Sequence, residues 1–309
     1  MQFFRETHLD FLGKRKYALM ISALLILIGI TSLIIKGGPV YGIDFLGGTE
    51  IHVRFPSRVP ISQVRDAMAT LGFGKAEIKQ FGSPNELLIR VQQQETGTLI
   101  SDQIMQSLRR AFPNNVPEEL SVESVGPKIG QELRNAAIWA IIISLGLILL
   151  YISVRFEFVF ALGAVASLIH DVLITLGFFS LLNLEISLAV IAAFLTLVGY
   201  SLNDTIVVYD RIRENLKLYR RETRTIEELI NFSINQTLSR TILTSLTTLL
   251  AVLSLYLLGG EVLHNFSFCM LIGIVVGTYS SIFIAAPIVV EWHKKAELQK
   301  LRRGAKVAL

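Results

Sequence analysis

The chain has 309 residues, of which 52% are hydrophobic and only 17% charged, with a formal net charge of +4. Apolar runs of 18 or more residues recur, each long enough to cross a hydrocarbon core about 30 Å thick, so a soluble enzyme is excluded. The single cysteine, Cys269, has no partner in the chain, and the 22 glycines and 8 prolines follow no period, which removes disulfide-stapled, collagen-like and disordered classes.

Residues 1–16 carry Arg5, Lys14, Arg15 and Lys16 and read as a cytoplasmic N-terminus. The run 17–35 lacks an A-x-A-like exit and reads as an uncleaved first transmembrane helix. Residues 36–135 form a soluble stretch and the lead-in to the next span. "TEIHVRF" alternates as a strand, and 60–71 places Val64, Met68 and Leu71 on one helical face. "AEIKQF" and "ELLIRV" are strands joined by the turn "GSPN"; a helix follows through 97–112, and "ELSVESV" closes as a strand. The order βαββαβ predicts an α+β, ferredoxin-like extracytoplasmic domain. Its eleven Lys/Arg and eleven Asp/Glu read as a solvated surface. Pro127 suits the first position of the helix into span 2.

Hydropathy places five further spans at 136–154, 158–182, 187–209, 241–258 and 266–290, giving a polytopic α-helical protein with six transmembrane helices and a 136–290 bundle. The 210–240 loop is rich in arginine, including Arg220, Arg221 and Arg224, and within it 225–238 reads as an amphipathic helix lying under the bundle. Residues 291–309 form a basic tail suited to anionic lipid, with no need for nucleic acid. The short loops "NLEI" and "GGEVLHN" contain no Lys or Arg. The positive-inside rule then puts both termini in the cytoplasm and 36–135 outside.

Ionisable residues inside spans are costly and mark candidate sites. Span 3 holds His170 and Asp171, the end of span 4 holds Asn203 and Asp204, and span 5 opens on Arg240 with Thr241, Thr244, Ser245, Thr247 and Thr248 behind it. Counted from the span ends at about 1.5 Å per residue, Asp204 lies about 8 Å and Asp171 about 20 Å from the cytoplasmic face. Arg240 can snorkel towards Asp204, and Thr247 and Thr248 stand at a similar level. A carboxylate at that depth either stays neutral or pairs with a cation, and one that alternates can carry a proton. The competing reading is a fixed Asp204–Arg240 pair that staples spans 4 and 5. Asp171 is a possible secondary relay group or a buried hydrogen-bonded residue. His170, about 100° round the helix from it, is expected to face elsewhere. His264 is expected to be inert, Cys269 to serve packing, and Gly273-x-x-x-Gly277 to permit close helix contact.

No Walker A, H-E-x-x-H, C-x-x-C or G-x-S-x-G pattern is present, so neither a built-in ATPase or hydrolase nor a metal site is expected. An intramembrane aspartyl protease would need two carboxylates about 3 Å apart, against an expected depth offset of about 12 Å between Asp171 and Asp204.

Several strings resemble the SecF family of bacterial protein-export membrane proteins, in the resistance-nodulation-division superfamily. They are "YGIDFLGGTE", "SVGPKIGQEL", "SLIHDVLITLGFFSLLNLEI", "VGYSLNDTIVVYDRIREN", "TLSRTILTSLTTLL" and "FCMLIGIVVGTYSSIFIAAPIVV", which with the one-plus-five span layout cover most of residues 40–290. The resemblance implies a bacterial inner-membrane subunit that pairs with a six-span SecD half and assists the SecYEG channel in moving unfolded secretory polypeptide with the proton gradient. By the same resemblance Asp204 is the proton-binding carboxylate and Arg240 its cationic partner, with Thr247, Thr248 and the adjacent Asn203 in the pathway. Protons are then the coupling ion and no other cofactor is implied. The alternative is a scaffold that stabilises the translocase without conducting protons. A small-molecule exporter of the same superfamily would need a larger outer domain.

Overall fold

The structure is a computed structural model and describes residues 7–91, 99–219 and 224–295. Helix α1 (Arg15–Lys36) leads through β1 (Val40–Tyr41) and the one-turn α2 (Ile43–Leu46) into an α+β unit. That unit comprises β2 (Gly48–Arg54), α3 (Ile61–Ala69), β3 (Glu77–Gln80), β4 (Glu86–Val91), α4 (Leu99–Ala111) and β5 (Glu118–Val125). There follow α5 (Pro127–Arg155), α6 (Phe158–Leu182), the two-residue β6 (Glu185–Ile186), α7 (Leu188–Leu218), α8 (Ile226–Leu258) and α9 (Gly260–Ser280). A π-helical turn, Ser281–Ala285, then continues into helix as far as Lys295.

Helix ends follow local chemistry. α1 stops on Gly37, whose left-handed φ of 75° lets its N–H and that of Gly38 bond back to Ile34 and Leu33. Pro127 opens α5 where its missing N–H costs nothing. Thr225 and Glu228 form a reciprocal capping box at the start of α8.

Six helical runs are long and apolar enough to cross a membrane. Within their most apolar windows, 61%, 50% and 61% of residues are buried in α6, α7 and the Gly260–Lys295 run, against 17%, 6% and 17% in α1, α5 and α8. The first three are therefore the centre of the bundle and the others its periphery. Glycines set the closest approaches. A Cβ on Gly177 of α6 would sit 2.9 Å from the Gly29 Cα of α1, and one on Gly273 of α9 only 2.1 Å from a Leu197 methyl of α7. Gly277 meets Ser201 in the same way, so the Gly-x-x-x-Gly spacing does serve close α7–α9 contact. Gly177→Val forces two backbones apart and is expected to release α1 from α6, read as protease access to the α1 segment with α7–α9 contacts kept.

Two expectations at the basic end change. α7 runs nine residues past 209, and 225–238 is no separate surface helix but the first part of a continuous α8. The reason is that nothing between Leu238 and Thr241 breaks a helix, and the stripe Ile230, Ile234, Leu238 continues into the buried Thr241 and Ser245. The 210–240 loop thus shrinks to the link between Leu218 and Ile226. Asn215 Nδ2 crosses to Ser233 Oγ at 2.8 Å and Gln236 Oε1 at 2.9 Å. Asn231 and Asn235 hold the main chain of Leu9, and Asn231 also takes the N–H of Phe11. Arg15 pairs with Glu227 at 2.5 Å and Glu291 at 3.2 Å. Residues 1–6, Arg220, Arg221 and the tail beyond Lys295 lie outside the described residues.

The α+β unit has a four-stranded antiparallel sheet in the order β3-β4-β2-β5. Ile51, Val53, Ile78, Leu87 and Ile89 pack beneath Val64, Met68, Ile104 and Leu108 of α3 and α4. Its surface is not merely solvated. Arg90, 10% exposed, bonds Glu50 at 2.5 Å, Glu77 at 3.2 Å and, outside the unit, Glu185 of the α6–α7 connection at 2.6 Å. Lys79 Nζ also meets Glu185 at 2.5 Å. Alongside, β1 and β6 pair in parallel, Gly42 N–H donates to the Ile186 carbonyl at 3.0 Å, and Asp44 Oδ2 accepts the Leu188 N–H at the start of α7 at 2.7 Å. The string "GIDFLGG" therefore joins the α+β unit to the α6–α7 hairpin.

Candidate functional site

Two buried carboxylates occupy adjacent layers of the bundle. Asp204 of α7, 2% exposed, accepts from Ser245 Oγ of α8 at 3.1 Å and Thr278 Oγ1 of α9 at 3.5 Å, and Thr278 Oγ1 lies 2.7 Å from Ser245 Oγ. Both contacts fall on Oδ2, and Oδ1 takes no hydrogen bond among the described residues. Asp171 of α6, 1% exposed, meets His170 Nδ1 at 2.9 Å, Ser201 Oγ at 2.6 Å and Ser280 Oγ at 2.9 Å.

Helical spacing explains how these layers stack. Ser201 and Asp204 stand one turn apart on α7, and Thr278 and Ser280 lie two residues apart at the end of α9, so each of these helices serves both carboxylates. Ser201, which bonds Asp171, lies about 4.5 Å before Asp204 along α7, and Ser280, which also bonds Asp171, lies about 3 Å beyond Thr278 along α9, so the two carboxylates differ far less in depth than the expected offset of about 12 Å. The larger offset came from counting depth from residue 209, whereas α7 extends to Leu218. They still form no protease-like dyad, because each carboxylate is enclosed by its own set of hydroxyls.

His170 does face Asp171, against the expectation from a 100° separation. The aspartate and histidine side chains lean towards each other across that angle, and the ring reaches Nδ1 to Oδ1 while Nε2 meets Ser22 of α1 at 2.9 Å.

Arg240, Asn203 and Thr247 are all exposed, and Thr248 is half-buried. Arg240 has no ion pair with Asp204 within 4 Å among the described residues, so the fixed α7–α8 staple is not built by this chain alone. Arg240, Thr244 and Thr247 instead form an outward stripe on α8, beside Thr196, Gly199 and Asn203 on α7. Thr244 and Thr247 satisfy their hydroxyls on their own helix carbonyls, and Tyr200 OH bridges α7 to the Thr244 carbonyl at 2.8 Å and Thr248 Oγ1 at 3.1 Å. Ser245, Thr278, Ser201 and Ser280, which touch the carboxylates, are small hydroxyl residues that composition does not distinguish from packing. His264 stacks on Tyr256 at 4.4 Å between ring centroids, and Cys269 is buried.

The family model described as protein export membrane protein SecD/SecF, C-terminal, matches residues 103–295. Over 306 residues the chain is 44% identical to the protein translocase subunit SecF of Rhodothermus marinus, covering 97% of this chain and 98% of that protein. The chain belongs to the SecF family. Another member, the protein translocase subunit SecF of Thermodesulfovibrio yellowstonii, is 43% identical over 97% of this chain and its own full length. The crystal structure of SecDF, a translocon-associated membrane protein from Thermus thermophilus, superposes with a TM-score of 0.84 at 40% identity over 94% of this chain. This SecF-family chain spans 39% of that longer SecDF chain. A second SecDF structure, in a super-membrane-facing form, superposes at 0.71 over 98% of this chain and 41% of its own. A multi-pass membrane protein of a protein-transport family is thereby established.

Proposed function

We propose that this chain is one half of a SecD–SecF assembly in the bacterial inner membrane, where it uses the proton gradient to assist the passage of unfolded polypeptide through the SecYEG channel. Asp204 is the proton-binding group in this reading, and the carrying observation is its setting: a buried carboxylate held by two neutral hydroxyls, with no cation in ion-pair contact among the described residues. Such a group is poised to take a proton, since an uncompensated charge in a low-dielectric site is costly. The exposed stripe of Arg240, Thr244, Thr247 and Asn203 is the surface against which SecD closes the pathway, bringing Arg240 and Thr248 into the polar route. Exposed polar residues on spanning helices need a partner other than lipid. Asp171 is the secondary relay group. The chain is a transport subunit, without hydrolase or ATPase chemistry of its own.

In this orientation the α+β unit is a ferredoxin-like domain outside the membrane, with both termini in the cytoplasm. Its sheet order, read as 4-1-3-2 in the unit's own strands, and the basic residues at the far end of the bundle support that placement.

Reconstitution tests the reading. Proteoliposomes holding the chain together with SecD are expected to take up protons under an imposed gradient, and those holding the chain alone are not. No flux with both halves present overturns the proton reading, and equal flux from the chain alone overturns the half-site. Arg240→Ala is expected to lower gradient-driven export roughly tenfold, with Arg240→Lys in between, because an ammonium lacks the planar fork of a guanidinium. Export assays in inverted membrane vesicles check the order.

A further inference from the structure

The polar chain around Asp171 has a defined hydrogen-bond direction at each link. Tyr279 donates its one hydroxyl proton to the Ala18 carbonyl at 2.6 Å, so the 3.0 Å contact between Tyr279 and Ser22 is filled by the Ser22 proton. With that proton committed, Ser22 Oγ accepts from His170 Nε2, 2.9 Å away, and Nε2 carries hydrogen. On the ring's other side, Nδ1 and Asp171 Oδ1 are 2.9 Å apart, and one proton lies between them. Oδ2 accepts from Ser201 and from Ser280, whose one proton is nearer Asp171 at 2.9 Å than the Gly277 carbonyl at 3.1 Å, and Ser167 donates in turn to Ser280 at 2.8 Å.

Whichever of the two atoms holds that proton, the pair is neutral overall. A second proton would set N–H against O–H with no acceptor between them. Losing the proton leaves one net negative charge at a place where His170 is 5% and Asp171 1% exposed. Among the described residues no Lys or Arg pairs with it. Of the titratable side chains that neighbouring helices turn inward, α7 brings Asp204 and Tyr209 and α9 brings Cys269 and Tyr279, while the buried faces of α1 and α5 and the π-helical turn bring none.

We propose that His170 and Asp171 form a binding site for a single exchangeable proton, and that the Ser22 hydroxyl couples its occupancy to the attachment of α1 on α9. On release, Nδ1 keeps a hydrogen to donate to the Asp171 carboxylate and Nε2 becomes an acceptor. Ser22 then turns its proton from Tyr279 to Nε2, and the Ser22–Tyr279 bond is lost. The other half of α1 stays anchored through the Gly29–Gly177 contact and the 2.8 Å bond between Ser32 and Ser180. Nearer the basic end, α1 is then held to Tyr279 of α9 through the Ala18 carbonyl alone, so that segment is loosened but not freed. It faces the stretch of α9 where the π-helical turn begins, one residue after Ser280.

The site does not depend on the role of Asp204, and infrared difference spectroscopy of the full chain in lipid nanodiscs separates the two. A pH titration is expected to show a transition with coupled carboxyl and imidazole bands that disappears in Asp171→Asn and in His170→Asn and persists in Asp204→Asn. Tyr279→Phe removes a bond made only in the loaded state, so it is expected to weaken proton binding about fivefold, moving the midpoint to lower pH. An unmoved midpoint in that variant overturns the coupling through Ser22. If Asp171→Asn fails to fold, nitrogen-15 NMR of labelled histidine in the unaltered chain decides instead. Hydrogen on Nδ1 alone across the whole range would overturn the site.

Discussion

Asp204→Asn is expected to abolish gradient-driven export while leaving the chain folded, inserted and bound to SecD. Asparagine has nearly the same shape, and its side-chain oxygen can still accept from Ser245 and Thr278, so the α7–α8–α9 contact at 3.1 Å and 3.5 Å survives. What is lost is the ability to alternate between a neutral and a charged form. One elementary charge moved across 100 mV is worth about 2.3 kcal/mol, a bias of about fiftyfold for each proton coupled. Export in inverted vesicles is therefore expected to fall to the level seen after the gradient is collapsed. The yield of SecD co-purified with the chain serves as the control. Normal yield with gradient-insensitive export supports the relay, whereas a falling yield with an unchanged rate for each complex would favour the scaffold.

Arg90→Ala is the second large effect, and it acts at the joint between the α+β unit and the bundle. Arg90 is shared by Glu50 and Glu185, and its removal leaves two part-buried carboxylates facing each other beside Lys79 alone. Stripping one member from such a cluster costs about 2 kcal/mol of docking, because the charges left behind have lost their water without keeping a partner. Increased hydrogen exchange at β6 and in the Gly42–Leu46 turn, with the sheet core still protected, is the expected signature.

The same joint has a definite response to pH. Burial acts to raise the Glu185 carboxyl, but hydrogen bonds from Arg90 and Lys79 outweigh it and hold Glu185 below the ordinary carboxylate range. Glu50 goes the other way, with burial outweighing Arg90. A depressed carboxyl contributes stability that is present above its unpaired value and lost as pH falls through the depressed one. Glu50, protonating first, gives up its claim on Arg90 while Glu185 remains ionised. Docking is thus expected to survive the first stage of acidification and fail only at the lower pH where Glu185 protonates. In Glu185→Gln the late transition disappears, which hydrogen exchange across a pH series measures.

Much of the molecule was legible in the chain itself. Spanning helices announce themselves because the bilayer interior demands about 20 apolar residues in succession, and the strands between the first two announce themselves by alternation and turn residues. Asp204 and Asp171 stood out for the same reason, since a charge in an apolar run has to be explained. Depth and partnership were less legible. A helix does not stop at the membrane boundary, and the continuation of α7 to Leu218 and the fusion of 225–238 into α8 moved the reference from which depth is counted.

The sequence by itself determined the class, the number of helices long and apolar enough to span, and which carboxylates lie within them, because those depend on local composition. Only the tertiary structure decided what each carboxylate touches. Ser245 and Thr278 reach Asp204, while Arg240 and Thr247 point outward from the same helix as Ser245. His170 closes on Asp171 and reaches through Ser22 to Tyr279. Such choices rest on how far one helix is rotated against another, which is set by distant contacts such as Gly177 on Gly29 and Gly277 on Ser201. No short stretch of sequence carries that rotation.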